Sequence, residues 1–494
     1  MSSMLQEPPT EVCSNLSLSD TLLHPLLVSA NRESLDESLA VLLDASKSAT
    51  GRSNLASKRV IPHLLRLSVI LAQKLRRPST HLLSSLRILR NLCAGESLNI
   101  NSFIQSGGVE AIEDIFNSVQ FDPQTVCIGL QALANVLLAG NEHLVDVWDH
   151  FFPLGFVEVA KVRDKGVCDL LCRILYTLCR GDDRRLSRIG GDQGVMIITE
   201  IISTASTAGF EGDYLPWLLS KICYEATFFN QLFVQLSSTN SSRYRSDNVR
   251  DVLFTREQVF LLSLLSRIHE QVVSGDFGLA VLQILKKAST AIHTTLCPST
   301  IDTLAVEILE YTLIILRDIC AHVCQDGQSR DSPSAVELLL SSGLLTFLLD
   351  LLRQLEPPEI VKKSRPQELN QGKLRYPYKG YRGDIVSVIA NCAFRRKQVQ
   401  DEIRQQNGIL LLLEQCVVDE GNPFLREKGL WAVRNLLEGN EENQREVAEL
   451  KLQGTVDTPE VTDLGMRVEV DPESGRAKLV NVSPSKLEEM DGVC

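Results

Sequence analysis

The sequence is poor in aromatic residues and in long apolar runs. Phe, Trp and Tyr make up 5% of its 494 residues, although hydrophobic residues as a whole reach 44%. Because β-sheets favour aromatic and β-branched residues, this balance favours stacked helices. The most apolar stretch, residues 338–352, is interrupted by Ser341, Ser342 and Asp350, whereas a helix that crosses a bilayer needs about 20 apolar residues. We therefore expect an all-α protein with no membrane span.

Residues 1–20 lack both the basic start and the apolar core of a secretory signal. The thirteen cysteines lie scattered in apolar helical patterns, as is typical of small buried hydrophobic side chains. We therefore predict a cytosolic protein with reduced thiols. The formal net charge is −12 and the pI is about 5.3. Such an acidic chain repels phosphate backbones, so nucleic acid is not an expected partner.

Catalytic and ligand-binding motifs are lacking as well. The eight histidines show no HExxH spacing, and no GxSxG occurs. The glycine-rich residues 190–194 have no preceding strand and no following Gly-Lys-Ser/Thr, both of which a phosphate-binding loop needs. Cys320, His322 and Cys324 resemble metal ligands, but on a helix His322 lies on the side opposite both cysteines. We predict no catalytic, cofactor-binding or metal site, and no enzyme activity.

The sequence does contain an internal repeat of about 43 residues. An apolar helix ends in a polar residue, usually Asn, followed by small or apolar residues, at Asn91, Asn135, Thr177, Asp318, Asn391 and Asn435. The spacings are 44, 42 and 44 residues where neighbouring repeats are clear, and Asp318 lies off this grid, which indicates inserted loops. Periods of this length are typical of armadillo and HEAT arrays. We predict an armadillo-like, right-handed superhelical solenoid of stacked helical repeats.

Two further signals indicate where helices begin. A glycine follows the repeat position by seventeen residues at Gly108, Gly194 and Gly408, between a polar and an apolar helix. We expect a positive φ there, which glycine adopts without strain. Asn422 and Pro423 predict a helix start, with Asn as the N-cap and Pro as the first helical residue.

Composition divides the chain into five parts. They are a disordered N-terminus (1–20), helical repeats (21–355), a long connection (356–383), C-terminal repeats (384–450) and a polar tail with a small hairpin at 466–480 (451–494). The connection has four prolines and a run of cations, and loops of this length are often functional. Tyr376, Tyr378 and Tyr381 are candidate anchors that hold it against the repeats.

The repeated Asn residues are candidates for peptide binding in the concave groove of the solenoid. Their amides can donate to and accept from the backbone of an extended peptide. The alternative for each Asn is that it caps or cross-links helices. The predicted protein-binding residues are Asn91, Asn135, Asn391, Lys428, Trp431 and Asn435. A basic patch at Arg395, Arg396 and Lys397 is a candidate site for an acidic partner, with ordinary solvated charge as the alternative.

Uncommon sequence words occur between residues 376 and 444. They include YPYKGYRGD at 376–384, NPF at 422–424 and RNLLEGNEENQ at 434–444. This stretch resembles the C-terminal domain of the ataxin-10 family, over about residues 376–450. The motif positions implied by the resemblance are Asp384, Asn391, Asn422, Pro423, Phe424, Arg426, Arg434, Asn435 and Asn440.

The resemblance implies a cytoplasmic armadillo protein without known catalysis that binds other proteins, in signalling or cytokinesis, and that self-associates in some members. We therefore predict a non-catalytic scaffold or adaptor that needs no cofactor. The alternative is a cargo receptor for basic peptides, resembling the nuclear-import armadillo proteins. Their groove needs repeated Trp–Asn pairs, and only Trp431 with Asn435 supplies one here. The corresponding earlier positions are Arg87, Gln131, Arg173 and Ser387.

Overall fold

The computed structural model describes ten segments of the chain, which are residues 32–210, 212–225, 228–243, 253–268, 273–294, 303–322, 334–364, 374–450, 465–471 and 477–481. The backbone packs into two compact units, which are Met1–Asn248 with Arg256–Leu264 and Val249–Thr255 with Leu265–Cys494. The predictions of disorder for residues 1–20 and for most of the tail concern residues outside the described segments.

The first unit is built from short helices in groups of three. They are α1 (Arg32–Ser46), α2 (Ala49–Ser57), α3 (Val60–Leu75), α4 (Thr80–Leu92), α5 (Ser97–Gln105), α6 (Gly108–Ser118), α7 (Pro123–Leu137), α8 (Leu144–Phe151), α9 (Leu154–Ala160), α10 (Lys165–Cys179), α11 (Asp183–Gly190), α12 (Asp192–Ala208), α13 (Tyr214–Ser220), α14 (Phe229–Arg243) and α15 (Arg256–Leu265), whose last residue belongs to the second unit. A 3₁₀ turn precedes α8 and a π-helical turn follows α13. The third helix of each group packs against the third helix of the next, so α1, α4, α7, α10 and α13 lie side by side in chain order. We call such a row a third-helix layer.

The second unit repeats this arrangement. Its helices are α16 (Gly275–Thr294), α17 (Thr303–Ala321), α18 (Ala335–Ser341), α19 (Leu344–Gln354), α20 (Glu359–Ser364), α21 (Tyr381–Ala393), α22 (Lys397–Gln405), α23 (Gly408–Leu413), α24 (Leu425–Leu437) and α25 (Glu441–Glu449). Here α17, α21 and α24 pack in chain order and form this unit's third-helix layer. The prediction of an all-α, armadillo-like protein is confirmed.

Side-chain caps explain where the third helices of the first unit begin. Ser79, Asp122 and Asp164 directly precede α4, α7 and α10, and each side chain accepts a hydrogen bond from a backbone N–H of the first turn. Such a cap stabilises a helix by about 1 kcal/mol. Along α4, one stripe with the predicted helical spacing is fully buried, namely Leu82, Leu86, Leu89 and Cys93.

The recurring glycines have a different role from the predicted one. The prediction of a positive φ is wrong for all three of them, Gly108, Gly194 and Gly408. At the first of these turns the left-handed residue is the preceding Gly107. A Cβ at Gly194 would lie 2.2 Å from the carbonyl oxygen of Ile189, and one at Gly108 would lie 2.6 Å from the ring of Phe103. Glycine is needed because consecutive helices approach too closely for any side chain.

The helix start predicted at Asn422 and Pro423 is also wrong, because α24 begins at Leu425. The Asn422 side chain makes other contacts. Its Oδ1 accepts the backbone N–H of Arg382 at 3.0 Å, and its Nδ2 donates to Asp419 Oδ2 at 2.8 Å. An N-cap must direct its oxygen at the N–H groups of its own helix. A side chain bonded to the neighbouring helix cannot do so.

The long connection is held at its two ends. Leu355 and Leu374 form a parallel β-bridge, with hydrogen bonds of 2.8 and 2.9 Å on either side of it. The short helix α20 follows the bridge residue Leu355, and α21 begins at Tyr381, so the last three residues of the predicted connection, 381–383, are helical. The connection lengthens the spacing between Asp318 and Asn391 to 73 residues. Asp318 therefore does not fit the period of about 43 residues.

The tail contains an antiparallel hairpin of β1 (Met466–Val470) and β2 (Ala477–Asn481), with Val468 opposite Leu479. Elsewhere, across the ten described segments, no single helix has the length and apolar character of a membrane span. Within these segments, α18 and α19 have the required length and apolar character only when they are counted as one, and the two helices meet at a bend of 60°.

Candidate functional site

The repeated Asn residues connect neighbouring third helices. In three of them the side-chain Nδ2 donates to a backbone carbonyl of the preceding third helix. The accepting residue is the one just before the repeat position of that helix. The three bonds, all 2.9 Å long, join Asn135 to Arg90, Asn391 to Arg317 and Asn435 to Ala390. Asn91 makes the matching contact through Ser46 Oγ of α1 at 3.0 Å. These bonds satisfy backbone carbonyls within the layer, and each contributes about 1 kcal/mol.

This arrangement limits what the Asn residues can offer a ligand. Asn435 is only 1% exposed, whereas Asn91, Asn135 and Asn391 are half-buried. In all four the amide N–H group is already engaged within the layer. The geometry therefore favours the cross-linking role that was the alternative for each Asn, and peptide binding by them stays a prediction.

Lys428 is bound within the protein rather than directed at a free surface. Its Nζ lies 2.9 Å from Asp384 Oδ1, and both side chains are largely buried. The other carboxylate oxygen of Asp384 accepts the hydroxyl of Tyr378 at 3.0 Å. Burial, followed by the Asp384 charge, raises the pKa of Tyr378 well above its usual value. Lys428 and Tyr378 together fasten the end of the long connection to α21 and α24.

Trp431 is the most exposed of the six predicted protein-binding residues. Its side chain is 50% exposed, and the guanidinium of Arg434 lies 5.3 Å from the centre of its ring. Leu430 beside it is 55% exposed. A tryptophan with a stacked arginine and an apolar neighbour has the composition of an interaction hot spot.

The three cations of the basic patch have separate surroundings. Arg396 donates to two carbonyls at the end of α21, at 2.9 and 3.3 Å. Lys397 pairs with Glu442 at 3.2 Å on the surface. Arg395 is exposed and lies over the ring of Phe394, 5.1 Å from its centre. One of the three cations is therefore paired with a carboxylate and a second is held by main-chain carbonyls, and an acidic partner at this patch stays a prediction.

The first unit carries an aromatic cluster that the sequence did not reveal. Tyr176 of α10 lies 5.9 Å from Tyr214 and 6.2 Å from Trp217 of α13, measured between ring centres. The guanidinium of Arg173 lies 5.9 Å from the ring of Tyr214, and Trp217 is 59% exposed. The available signal was the spacing of three residues between Tyr214 and Trp217, which places both rings on one helical face. Because α13 lacks the Asn of the repeat, the repeat pattern does not indicate this cluster.

Seven of the nine cysteines in the described segments are buried. Within the described segments, no three His, Cys, Asp or Glu side chains lie close enough to hold a metal ion. Cys320 Sγ lies 3.5 Å from Cys392 Sγ in the buried contact between α17 and α21, whereas Cys324 lies outside the described residues. Burial raises the pKa of Cys93 to about 12, so this thiol is protonated at neutral pH.

Comparison with known proteins agrees with the resemblance. The family model of the spinocerebellar ataxia type 10 protein domain matches residues 381–480. Ataxin-10 of Bos taurus is 25% identical over 446 residues, covering 83% of this chain and 86% of that protein. The ataxin-10 homolog of Dictyostelium discoideum is 38% identical over 111 residues, covering 22% of this chain and 18% of that protein. Among solved structures, an engineered protein aligns with 84% of this chain and 98% of its own, at 14% identity and a TM-score of 0.32.

The matched domain begins at the first residue of α21 and extends into β2. It therefore contains the last two third helices, with Asn391, Trp431 and Asn435, together with most of the hairpin. The similarity to ataxin-10 extends over most of the chain beyond this domain. The chain is thus similar to ataxin-10 along most of its length and carries the domain of the ataxin-10 family at residues 381–480.

Proposed function

We propose that this chain is a non-catalytic scaffold whose third-helix layers hold segments of other proteins. The observation that carries the proposal is the pair of exposed clusters of aromatic and arginine side chains. One lies on α10 and α13 in the first unit, around Trp217, and the other on α24 in the second unit, around Trp431. Trp, Tyr and Arg are the residues that dominate binding energy in protein interfaces.

Exposure of these rings carries a cost that points to a partner. A large aromatic side chain gains free energy when its apolar surface leaves water, at roughly 25 cal/mol for each Å². Each cluster exposes one tryptophan, Trp217 or Trp431, next to further aromatic, apolar or arginine side chains, and contiguous groups of this kind are more often interaction sites than scattered surface residues are. Because both clusters lie on third helices, we place the binding surface on these layers. Action in the cytosol, in signalling or cytokinesis, belongs to the same proposal through the family resemblance.

A cargo receptor for basic peptides is not favoured. Such a groove needs acidic and tryptophan side chains at successive positions. In the first unit the positions four residues before Asn91 and Thr177 hold Arg87 and Arg173 instead. These two arginines on the third-helix layer would repel a basic peptide.

Proximity labelling tests the aromatic cluster of the first unit. We expect a double variant, Trp217→Ala with Tyr176→Ala, to reduce the labelling of direct partners about tenfold or more, as loss of a hot spot does. The matched control is Leu154→Ala, since Leu154 is 76% exposed at the start of α9, outside the third-helix layer. Circular dichroism checks that all chains keep the same helicity. Equal partner profiles for the double variant and the control would remove the proposal for this unit.

Self-association is a second proposal, carried by the uncovered side of α24. In α21 the residues Val386, Ile389 and Ala393 are buried. The residues at the same repeat positions in α24 are Leu430, Val433 and Leu437, which are exposed or half-buried. In the described segments α25 alone follows α24 as a helix. Within those segments no further third helix packs on this side. A second copy that presents the same apolar surface can cover it symmetrically.

Sedimentation velocity over a range of protein concentrations tests the second copy. We expect the wild-type chain to show species heavier than its 54.9 kDa monomer. Leu430→Glu should leave only monomer, because a buried carboxylate has no partner in such a contact. Leu410→Glu on α23 is the control, since Leu410 is 56% exposed and lies outside the third-helix layer. A monomeric wild type at every concentration, or equal loss in both variants, would contradict this proposal.

A further inference from the structure

The first unit contains a cleft of about 410 Å³ between the end of α1, the start of α2 and α4. Four of its eight lining residues are cations, and none is an acid. The cations are Lys47, Arg52, Arg87 and Arg90. Ser46 and Asn91 add hydroxyl and amide groups to the wall. The chain as a whole has a net charge of −12, whereas the lining of this cleft is positively charged.

Neutral acceptors hold two of these arginines in position. Arg90 donates through Nη1 to Gln131 Oε1 at 2.9 Å, and through Nε and Nη2 to Asn91 Oδ1 at 3.1 and 2.9 Å. Arg52 donates through Nη1 to the carbonyls of Ser46 and Lys47 at 3.5 and 3.2 Å. Amide and carbonyl oxygens orient a guanidinium without cancelling its charge. The cleft therefore presents fixed and uncompensated positive charge.

Two other arginines of this unit are neutralised by carboxylates. Arg163 pairs with Glu200, and Arg185 pairs with Asp182 at 3.5 Å. In the part of the chain that the structure describes, none of the three cleft arginines has a carboxylate within 4.0 Å. Lys47 pairs with Asp44, but both side chains are largely exposed, so this pair contributes little screening inside the cleft.

The cleft arginines also repel one another. Burial, followed by the charge of Arg87, lowers the pKa of Arg90. The Nε of Arg52 is buried and has no hydrogen-bond acceptor among the described residues. The Arg87 side chain makes no hydrogen bond or ion pair with the described residues, so its guanidinium donors are available. A bound anion would relieve the repulsion and fill the vacant donors.

We propose that this cleft binds an oxyanion carried on a protein segment, either a phosphorylated side chain or a pair of acidic side chains. Guanidinium groups match the planar fork of carboxylate and phosphate oxygens, and a phosphoryl group brings close to two negative charges. The volume exceeds what one free phosphate fills, and the cleft is open to solvent beside α7 of the third-helix layer. The inference deepens the proposed scaffold function by naming the chemistry of one bound segment.

Fluorescence anisotropy on the full chain tests the cleft. The probe is a fluorescein-labelled dodecapeptide of glycine and alanine with one central phosphoserine, and its sister peptides carry serine or two glutamates there. We expect the phosphoserine peptide to bind, the serine peptide not to bind, and affinity to fall with added salt. Arg87→Gln should weaken binding about 10- to 100-fold, as loss of a charge-assisted hydrogen bond does. Because the Arg87 side chain makes no hydrogen bond or ion pair with the described residues, this variant should fold normally.

The matched control is Arg66→Gln, which removes the same charge from an exposed position on α3 and should change affinity less than about twofold. Equal weakening in the two variants, or equal binding of the serine and phosphoserine peptides, would overturn the inference. Binding of inorganic phosphate without any peptide binding would also overturn it, because the ligand would then be a free anion and not an anion carried on a protein segment. Binding of the glutamate peptide alone supports it and assigns carboxylates as the ligand. If the cleft fails while Trp217→Ala with Tyr176→Ala still loses partners, the scaffold proposal stands without it.

Discussion

Gly429→Ala is expected to destabilise the second unit by about 3 kcal/mol or more, since the new methyl group has nowhere to go. Gly429 lies in the middle of α24, where a Cβ would come within 2.5 Å of the carbonyl oxygen of Gln415 and 2.9 Å of the backbone nitrogen of Cys416. Both contacts are with main chain, which cannot rotate away as a side chain does. The helix must therefore move away from residues 415 and 416, which follow α23. Urea denaturation followed by circular dichroism at 222 nm measures the loss.

Gly278→Ala is the matched control in the same unit. Gly278 also lies inside a helix, α16, but there the nearest atom to a new Cβ is Leu339 Cδ1 at 3.5 Å, an ordinary contact. This substitution should be neutral or stabilise by about 0.4–1 kcal/mol, because alanine restricts the unfolded chain and favours the helix. If both variants unfold at the same urea concentration as the wild type, the close approach at Gly429 is not a constraint.

The architecture could be predicted from the sequence because it depends on spacing. The steps of 44 and 42 residues that begin at Asn91 locate the third helices α4, α7 and α10. Caps such as Asp122, with Pro123 as the first helical residue, mark their starts. Both features are local and repeat, so the pattern is visible without tertiary information.

The roles of individual residues could not be predicted in the same way, because they depend on neighbours distant in sequence. Asn435 donates to a carbonyl 45 residues earlier, and Asn422 accepts from an N–H group 40 residues earlier. A capping pattern and a cross-link require the same residue type. Gly108 illustrates the same limit, since close approach and positive φ both require glycine.

The candidate site was predicted in part. Trp431 stands exposed on the layer where the Asn pattern led to it, whereas Asn435 and Lys428, its companions on one stripe, are engaged within the fold. The cluster around Trp217 and the cationic cleft at Arg87 require knowledge of which third helices are adjacent. Charges and rings that are 40 residues apart come together only through packing.

Arg382→Ala is expected to cost the second unit about 3–5 kcal/mol, because it removes a buried charged group that three separate segments depend on. Arg382 is fully buried in α21. Its guanidinium donates to Gln415 Oε1 at 3.1 Å and to the carbonyl of Glu356, and burial lowers its pKa to about 10. Removal leaves a cavity and two unpaired acceptors. Arg382→Lys should recover only part of the loss, since an ammonium cannot reach both acceptors in the geometry of a fork.

The repeat itself supplies the control for this prediction. Arg426 stands nine residues before Asn435, as Arg382 stands nine before Asn391. Arg426 is exposed, however, and among the described residues it pairs only with Glu427, at 3.2 Å. Arg426→Ala should therefore leave unfolding nearly unchanged. Limited trypsin digestion gives an independent measurement, because the Glu356 bond holds the connection against α21. We expect Arg382→Ala to speed cleavage within residues 356–380, while Arg426→Ala keeps the wild-type rate. Equal rates in all three chains would show that the bridge, and not the buried arginine, holds the connection in place.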